Sequence, residues 1–208
     1  MKRTEIIHRS IAPSAGTDWE ALWTPYDEAT YQAALDFLEP GDVVLDIGAG
    51  DLRFAQRAAR RVRKVIAIER NLEVLRSASR RNSENLIVVC ADALTWSFPE
   101  GITVGVLLMR HCRHCKDYFT RLRAVGCQRL ITNARWGMDV ECVSLAPQPS
   151  YWSAPPGWYA CSCGAVGFKT APAEELQAKA LDTSISVEDC PACLASRMAS
   201  SLQPWSRR

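Results

Sequence analysis

The sequence predicts an α/β fold: a doubly wound, mostly parallel sheet followed by a small cysteine-bearing appendage. Three observations predict it. Short runs of branched apolar residues alternate with helical stretches along residues 43–145, as parallel strands joined by helical crossovers require. The first three runs each close on an acid, at Asp46, Glu69 and Asp92. Beyond Pro147 the composition shifts, and two close cysteine pairs follow. The expected division is residues 1–147 for the sheet domain, with residues 1–17 read as a flexible lead-in, and residues 148–208 for the cysteine module.

Taken in order, residues 18–39 read as amphipathic helical material carrying Trp19, Trp23, Tyr26 and Tyr31, and Pro40-Gly41 breaks it. Val43-Val44-Leu45-Asp46-Ile47 is a buried parallel strand. Gly48-Ala49-Gly50 then turns into a helix whose buried stripe is Phe54, Ala55, Ala58, Ala59 and Val62. Lys64–Ile68 and Leu86–Ala91 are the next two strands. Phe98-Pro99-Glu100-Gly101 is a turn, Ile102–Met109 the fourth strand, and a helix runs over Asp117–Val125. Arg129–Thr132 is a fifth strand and Glu141–Leu145 a candidate sixth. No internal repeat is evident.

The glycine turn separates two nucleotide chemistries. Glycines suit a turn where a bulky ligand approaches the backbone and the next helix offers N–H groups. In the dinucleotide fingerprint G-x-G-x-x-G/A the third small position would fall on Arg53, which does not allow the close helix–strand packing that Gly or Ala gives there. Asp46, two residues before the first glycine, has no role against a pyrophosphate but has one against a cationic amino-acid ligand. Here the chain resembles the class I S-adenosylmethionine-dependent methyltransferases, whose first motif runs acid-x-Gly-x-Gly-x-Gly. Asp46, Gly48 and Gly50 match it, and Leu52 stands in place of the last glycine. The resemblance covers roughly residues 19–136 and implies a Rossmann-like methyltransferase fold. It also implies a cofactor site in which Glu69 grips ribose hydroxyls, Asp92 accepts from the adenine amino group and Tyr26 closes over the ligand as a lid. Each acid alone could instead cap a helix or sit in a solvated turn, and the glycine turn alone could hold no ligand.

The fourth strand ends Met109-Arg110-His111-Cys112-Arg113-His114-Cys115. In a methyltransferase this edge faces the methyl group and its acceptor. The Asn-Pro-Pro-Tyr type of tetrapeptide that many amino-group methylases carry here is absent, which argues against simple adenine-N6 or glutamine-amide methylation. His111 and His114 are candidate general bases, because imidazole titrates near neutral pH. Cys112 lacks the Pro-Cys context of a covalent nucleophile. A local His/Cys metal site and a non-catalytic strand end are the alternatives. Transfer from a sulfonium needs little beyond in-line positioning, so a missing base does not exclude an enzyme.

Twenty of the 25 basic residues are arginine, clustered at Arg53, Arg57, Arg60, Arg61, Arg63 and again at Arg76, Arg80 and Arg81. The apolar stripe of the first helix puts its arginines on the outer face, a solvated surface or, alternatively, one that tracks the phosphates of RNA. No apolar run is long enough to span a bilayer, and no secretory leader precedes Pro13. Nine cysteines without an export signal argue against a disulfide framework. A cytoplasmic protein without a membrane partner is expected.

Gln148–Gly157, rich in Pro and aromatics, reads as a linker or docking loop. Cys161-Ser162-Cys163-Gly164 and Cys190-Pro191-Ala192-Cys193 follow. Two short turns can aim four thiolates at one ion, and the arrangement resembles a zinc-ribbon knuckle pair in which C-x-C replaces one C-x2-C. Structural zinc on Cys161, Cys163, Cys190 and Cys193 is expected, with Cys112 and Cys115 as an alternative pair. Between the knuckles Ala173–Leu181 reads as helical, and Cys90, Cys127 and Cys142 as reduced, buried thiols.

Three functions compete. The leading one is an S-adenosylmethionine-dependent methyltransferase whose zinc module helps dock a macromolecular acceptor, RNA above all, with a small-molecule acceptor open. The second is a non-catalytic methyltransferase-fold adaptor for nucleic acid or protein. The third uses the same cofactor for another transfer, such as aminocarboxypropyl transfer.

Overall fold

A computed structural model describes residues 25–78, 83–136, 139–176 and 178–201. The lead-in over residues 1–17, the expected helix start with Trp19 and Trp23, and Arg80 and Arg81 lie outside the described residues.

The main body alternates helix and strand: α1 (Glu28–Asp36), β1 (Val43–Ile47), α2 (Arg53–Ala58), β2 (Lys64–Glu69), α3 (Leu72–Ser77), β3 (Leu86–Cys90), β4 (Val104–Leu107), α4 (Cys115–Ala124), β5 (Arg129–Thr132) and β6 (Glu141–Ser144). These strands form one six-stranded sheet in the order β3-β2-β1-β4-β5-β6. All pairings are parallel except β5 with β6, which is antiparallel. The expected doubly wound, mostly parallel sheet is therefore present.

Side-chain alternation builds the two layers. Leu45, Ile47, Ile66, Ile68, Leu107 and Leu130 point to one face, where Tyr118, Phe119 and Leu122 of α4 cover them. Val44, Val65, Ala67, Val104, Val106 and Ile131 point to the other, under Tyr31, Ala34 and Leu35 of α1 and Phe54, Ala55 and Ala58 of α2. Strands buried on both faces read as continuous apolar runs, which is why they were visible in the sequence. Each buried Leu or Ile contributes about 1.5–3 kcal/mol relative to exposure.

The arginine cluster of α2 is largely paired. Arg57 meets Glu28, Arg61 meets Asp36 at 3.3 Å, and Arg53 meets Asp51 at 2.5 Å. The Arg57 pair ties α2 to α1, and the Arg61 pair ties the chain just beyond α2 to the end of α1; both lie on the exposed surface, where each adds little to stability.

A second, three-stranded sheet follows, from β7 (Gly157–Cys161), β8 (Val166–Lys169) and β9 (Ser184–Val187), in the order β8-β7-β9. α6 (Pro191–Ser201) completes it. The helix expected over Ala173–Leu181 is instead a 3-10 turn at Ala173–Glu175 and a four-residue α5 (Lys179–Asp182). The insert returns the chain from β8 to β9, and Leu181 is left 58% exposed there, so no packing surface seats a longer helix. Segment 148–157 folds onto this sheet: the Ser150 hydroxyl and the Tyr151 N–H donate to Asp189, and Lys169 donates to the carbonyls of Tyr151, Trp152 and Ala154.

Of the three cysteines read as buried, Cys127 is buried, Cys142 is half-buried and Cys90 is exposed. β3 is the edge strand of the large sheet, so its outer residues lack a covering layer. Ile87 on the same strand is 44% exposed.

Candidate functional site

The carboxyl ends of β1, β2, β3 and β4 line a cleft of about 880 Å³. Asp46, Gly48, Glu69, Asp92, Tyr26 and His111 all border it, brought together from five separate stretches of chain. His114 is not among its lining residues. It sits at the N-terminus of α4 with Nδ1 3.1 Å from Asp117.

The floor is acidic and buried. Asp46 is 3% exposed, and its Oδ2 is buried without a hydrogen-bond partner. Burial, and then the charge of Glu69, push its carboxyl up to about 7. An orphaned buried acceptor is costly unless something fills the site, and a cationic group beside Asp46 would restore the charged form. Glu69, also buried, is held in place by backbone: its Oε2 accepts from Gly50 N–H at 3.0 Å and its Oε1 from Asn71 N–H at 2.7 Å. Each oxygen keeps a lone pair for a ligand hydroxyl.

The glycine loop shows why two of its residues are small. Gly48 has φ +73, and a Cβ there would come within 2.8 Å of Met109 Cε. Its N–H and that of Ala49 both donate to Ile68 carbonyl at 2.9 Å, which presses the loop against β2. Leu52 adopts the conformation that the missing third glycine would have held, with φ 66 and ψ 8 in the left-handed region. Its side chain is 1% exposed in the α1–α2 core. The leucine thus exchanges backbone strain for packing.

At the rim, Asp92 is exposed and accepts from Leu94 N–H at 2.8 Å through Oδ1. Tyr26 is fixed against the opposite wall. Its hydroxyl accepts from Arg110 N–H at 2.9 Å, its ring lies 4.8 Å under the Arg110 guanidinium, and its own N–H donates to the Tyr31 hydroxyl at 3.1 Å. The β4 edge turns sharply, with His111 at φ 62 and exposed to the cleft. Cys112 is instead buried in the main core, away from the lining.

Met109, at the strand edge expected to face the acceptor, lines the cleft, and sequence reasoning missed Tyr118 and Asn71, which line it too. Asn71 had a signal, as the N-cap of α3, where its side chain accepts from Glu73 and Val74 N–H. Tyr118 reads only as a core residue of α4, because the sequence does not reveal that the helix borders the cleft.

The cysteine knuckles form a separate centre. Cys161, Cys163, Cys190 and Cys193 have their sulfurs within 4.8 Å of one another, and they are the group of this kind among the described residues. Cys112 and Cys115 do not join it. The shared hydrogen bond of Cys161 and Cys163, then burial, pushes the Cys161 thiol up, while the same bond draws Cys163 down. Arg135 bridges the two sheets. It is paired with both oxygens of Glu141 at 2.6 and 2.7 Å and donates to Ala160 carbonyl at 3.1 Å and Ser186 Oγ at 3.3 Å.

Among known families, the ribosomal RNA adenine dimethylase model matches residues 26–134, slightly more than half of the chain. The probable ribosomal RNA small subunit methyltransferases A of Methanosarcina mazei and Methanosarcina barkeri are similar at 42% and 43% identity over 65 residues. That stretch is 30% of this chain and 24% and 23% of theirs, so the likeness spans about a quarter of the curated relatives' length. Of solved structures, a dimethyladenosine transferase from Plasmodium falciparum is similar at 17% identity and a TM-score of 0.45, over 51% of this chain and 41% of that one.

Proposed function

Because the chain belongs to the ribosomal RNA adenine dimethylase family, we propose that it transfers a methyl group from S-adenosylmethionine to RNA in the cleft at the ends of β1 to β4. The observation that carries this reading is the orphaned, buried oxygen of Asp46 on the cleft floor. A ligand with a cationic amino-acid portion satisfies it. Glu69 then faces the ribose hydroxyls, Asp92 the adenine amino group and Gly48 the close approach of the ligand to the backbone. Tyr26, tied to Arg110, forms the wall that excludes water. When bound, the cofactor supplies an electrophilic methyl on a sulfonium, and the chain's task is to orient the acceptor in line with it. His111 is the group placed to take a proton at the acceptor side.

The structural zinc of the four knuckle cysteines belongs to the same reading. So does the division at residue 148, with the small sheet as an acceptor-docking module and the arginine-rich face of α2 as a separate RNA-facing surface. No helix among the described residues is long and apolar enough to cross a membrane. Reduced thiols at this centre suit a cytoplasmic setting.

The test is calorimetry with S-adenosylmethionine, followed by transfer of labelled methyl to total RNA. Binding that is lost in Glu69→Ala, with the mass of one or two methyl groups gained per acceptor, supports the reading. A folded, zinc-loaded chain that does not bind the cofactor overturns it, and a different mass gain moves the chain to another transfer chemistry. The Leu108-Met109-Arg110-His111 edge, which lacks the amino-group methylase tetrapeptide, favours one second reading, an RNA-binding adaptor. That reading requires RNA retention unchanged by Glu69→Ala and no methyl transfer.

A further inference from the structure

We propose that zinc occupancy of the four-cysteine centre and docking of the small sheet on the main body form one coupled equilibrium, joined through Lys116. This rests on the zinc reading above and goes beyond it.

The sulfur geometry is that of a metal site. Cys161 and Cys193 sulfurs lie 3.7 Å apart, as do those of Cys163 and Cys190. A disulfide needs about 2.05 Å. Four thiolates at about 2.3 Å from a tetrahedral zinc have sulfurs about 3.8 Å apart. Four thiolates on a dication leave a charge of about −2, and three of these residues are buried, Cys161 fully. A buried excess charge needs a counter-charge with a hydrogen bond.

Lys116 supplies it from the other body. It is the second residue of α4, and its Nζ lies 3.5 Å from the Cys193 sulfur. Neighbouring cations are directed elsewhere: Lys169 to the carbonyls of Tyr151, Trp152 and Ala154, Arg123 to Glu188, and Arg135 to Glu141. The knuckle also lies close to α4. At Gly164, with φ +94, an added Cβ would reach van der Waals contact with the Cys115 Cβ at 3.8 Å and the Ala134 carbonyl oxygen at 3.7 Å. Metal that shapes this turn therefore shapes the surface offered to α4. Linkage makes the effect reciprocal: the factor by which docking tightens zinc is the factor by which zinc tightens docking.

The experiment uses the full chain, purified reduced and supplied with zinc. Metal content gives the stoichiometry, competition against a chromophoric chelator gives the affinity, and hydrogen exchange reads the docking contacts. We expect one zinc per chain, an affinity lowered about ten- to a hundred-fold in Lys116→Met, and much of it restored in Lys116→Arg. Zinc removal from the unaltered chain should raise exchange at the first turn of α4, where Tyr118 N–H bonds His114 carbonyl. Zinc bound with unchanged affinity in Lys116→Met overturns the coupling and leaves the metal site standing. A chain that takes up no zinc overturns both. Cofactor binding, read separately by calorimetry, bears on neither outcome.

Discussion

Leu52 offers a stability test in which glycine escapes its usual penalty. A non-glycine residue in the left-handed region costs about 1–2 kcal/mol, and Leu52 is held there at φ 66. Its side chain is among the largest fully buried ones, and truncating such a leucine to alanine costs about 2–5 kcal/mol. Leu52→Ala loses the packing and keeps the strain. Leu52→Gly loses one buried carbon more, about 0.8 kcal/mol, and about 0.5–1 kcal/mol through unfolded-chain entropy, but it sheds the strain. Relief of the strain offsets both losses, so the glycine variant should match the alanine variant to within about 1 kcal/mol, and the leucine protein should exceed both. At an ordinary helical position glycine would fall about 1.3–1.8 kcal/mol below alanine. Urea unfolding with a shared slope resolves the two outcomes. In thermal unfolding the ordinary penalty corresponds to about 3–7 °C for a chain of this size. A glycine variant that shows this ordinary penalty would refute the claim that leucine bears glycine's backbone there.

Asp46 should make the ligand-free protein pH-sensitive. Its carboxyl lies at about 7 in the fold against about 3.9 unfolded. Between those values the folded state holds a proton that the unfolded chain has released, so stability should fall as pH rises from about 4 to 7. Urea midpoints across that range should show the slope, and Asp46→Asn should flatten it. A cationic ligand favours the carboxylate, so calorimetry should show affinity rising through pH 7 with proton release, and a flat profile would contradict it. Arg135→Met leaves Glu141 and the Ala160 carbonyl without their partner and should cost about 3–5 kcal/mol, whereas adding Glu141→Leu should recover most of it in a double-mutant cycle by urea unfolding. Gly48→Val puts a branched side chain at φ +73 against Met109; it should abolish cofactor binding in calorimetry while circular dichroism stays folded.

How much of this was legible follows from what each residue faces. Strands buried on both sides announce themselves as apolar runs, so β1, β2, β4 and β5 could be read directly, although β4 is the shorter Val104–Leu107. The flanking Leu108 and Met109 are apolar because they line the cleft. Asp46, Glu69 and Asp92 converge because parallel strands end on one edge, a consequence of topology that spacing alone already implied. His111 and His114 looked equivalent, yet the left-handed turn at His111 sends one to the cleft and the start of α4 takes the other to Asp117. Cys90 misled because burial depends on strand order, and an edge strand carries the same residues as a central one. Lys116 gave no local sign, since its partner Cys193 is distant in sequence, and the reach of Arg135 past Glu141 to Ala160 was hidden for the same reason.

Glu69 constrains what mutation can do at this cleft. Its two oxygens fasten the loop after β1, through Gly50, to the start of α3, through Asn71. Shortening it to aspartate withdraws the carboxylate from both backbone donors at once, so the two loops loosen together before any ligand is considered. Leu52, two residues beyond Gly50, departs from the glycine pattern because packing compensates for its backbone. Glu69 has no such latitude: two turns hang on one carboxylate, and any substitution at this edge must first find another way to hold them.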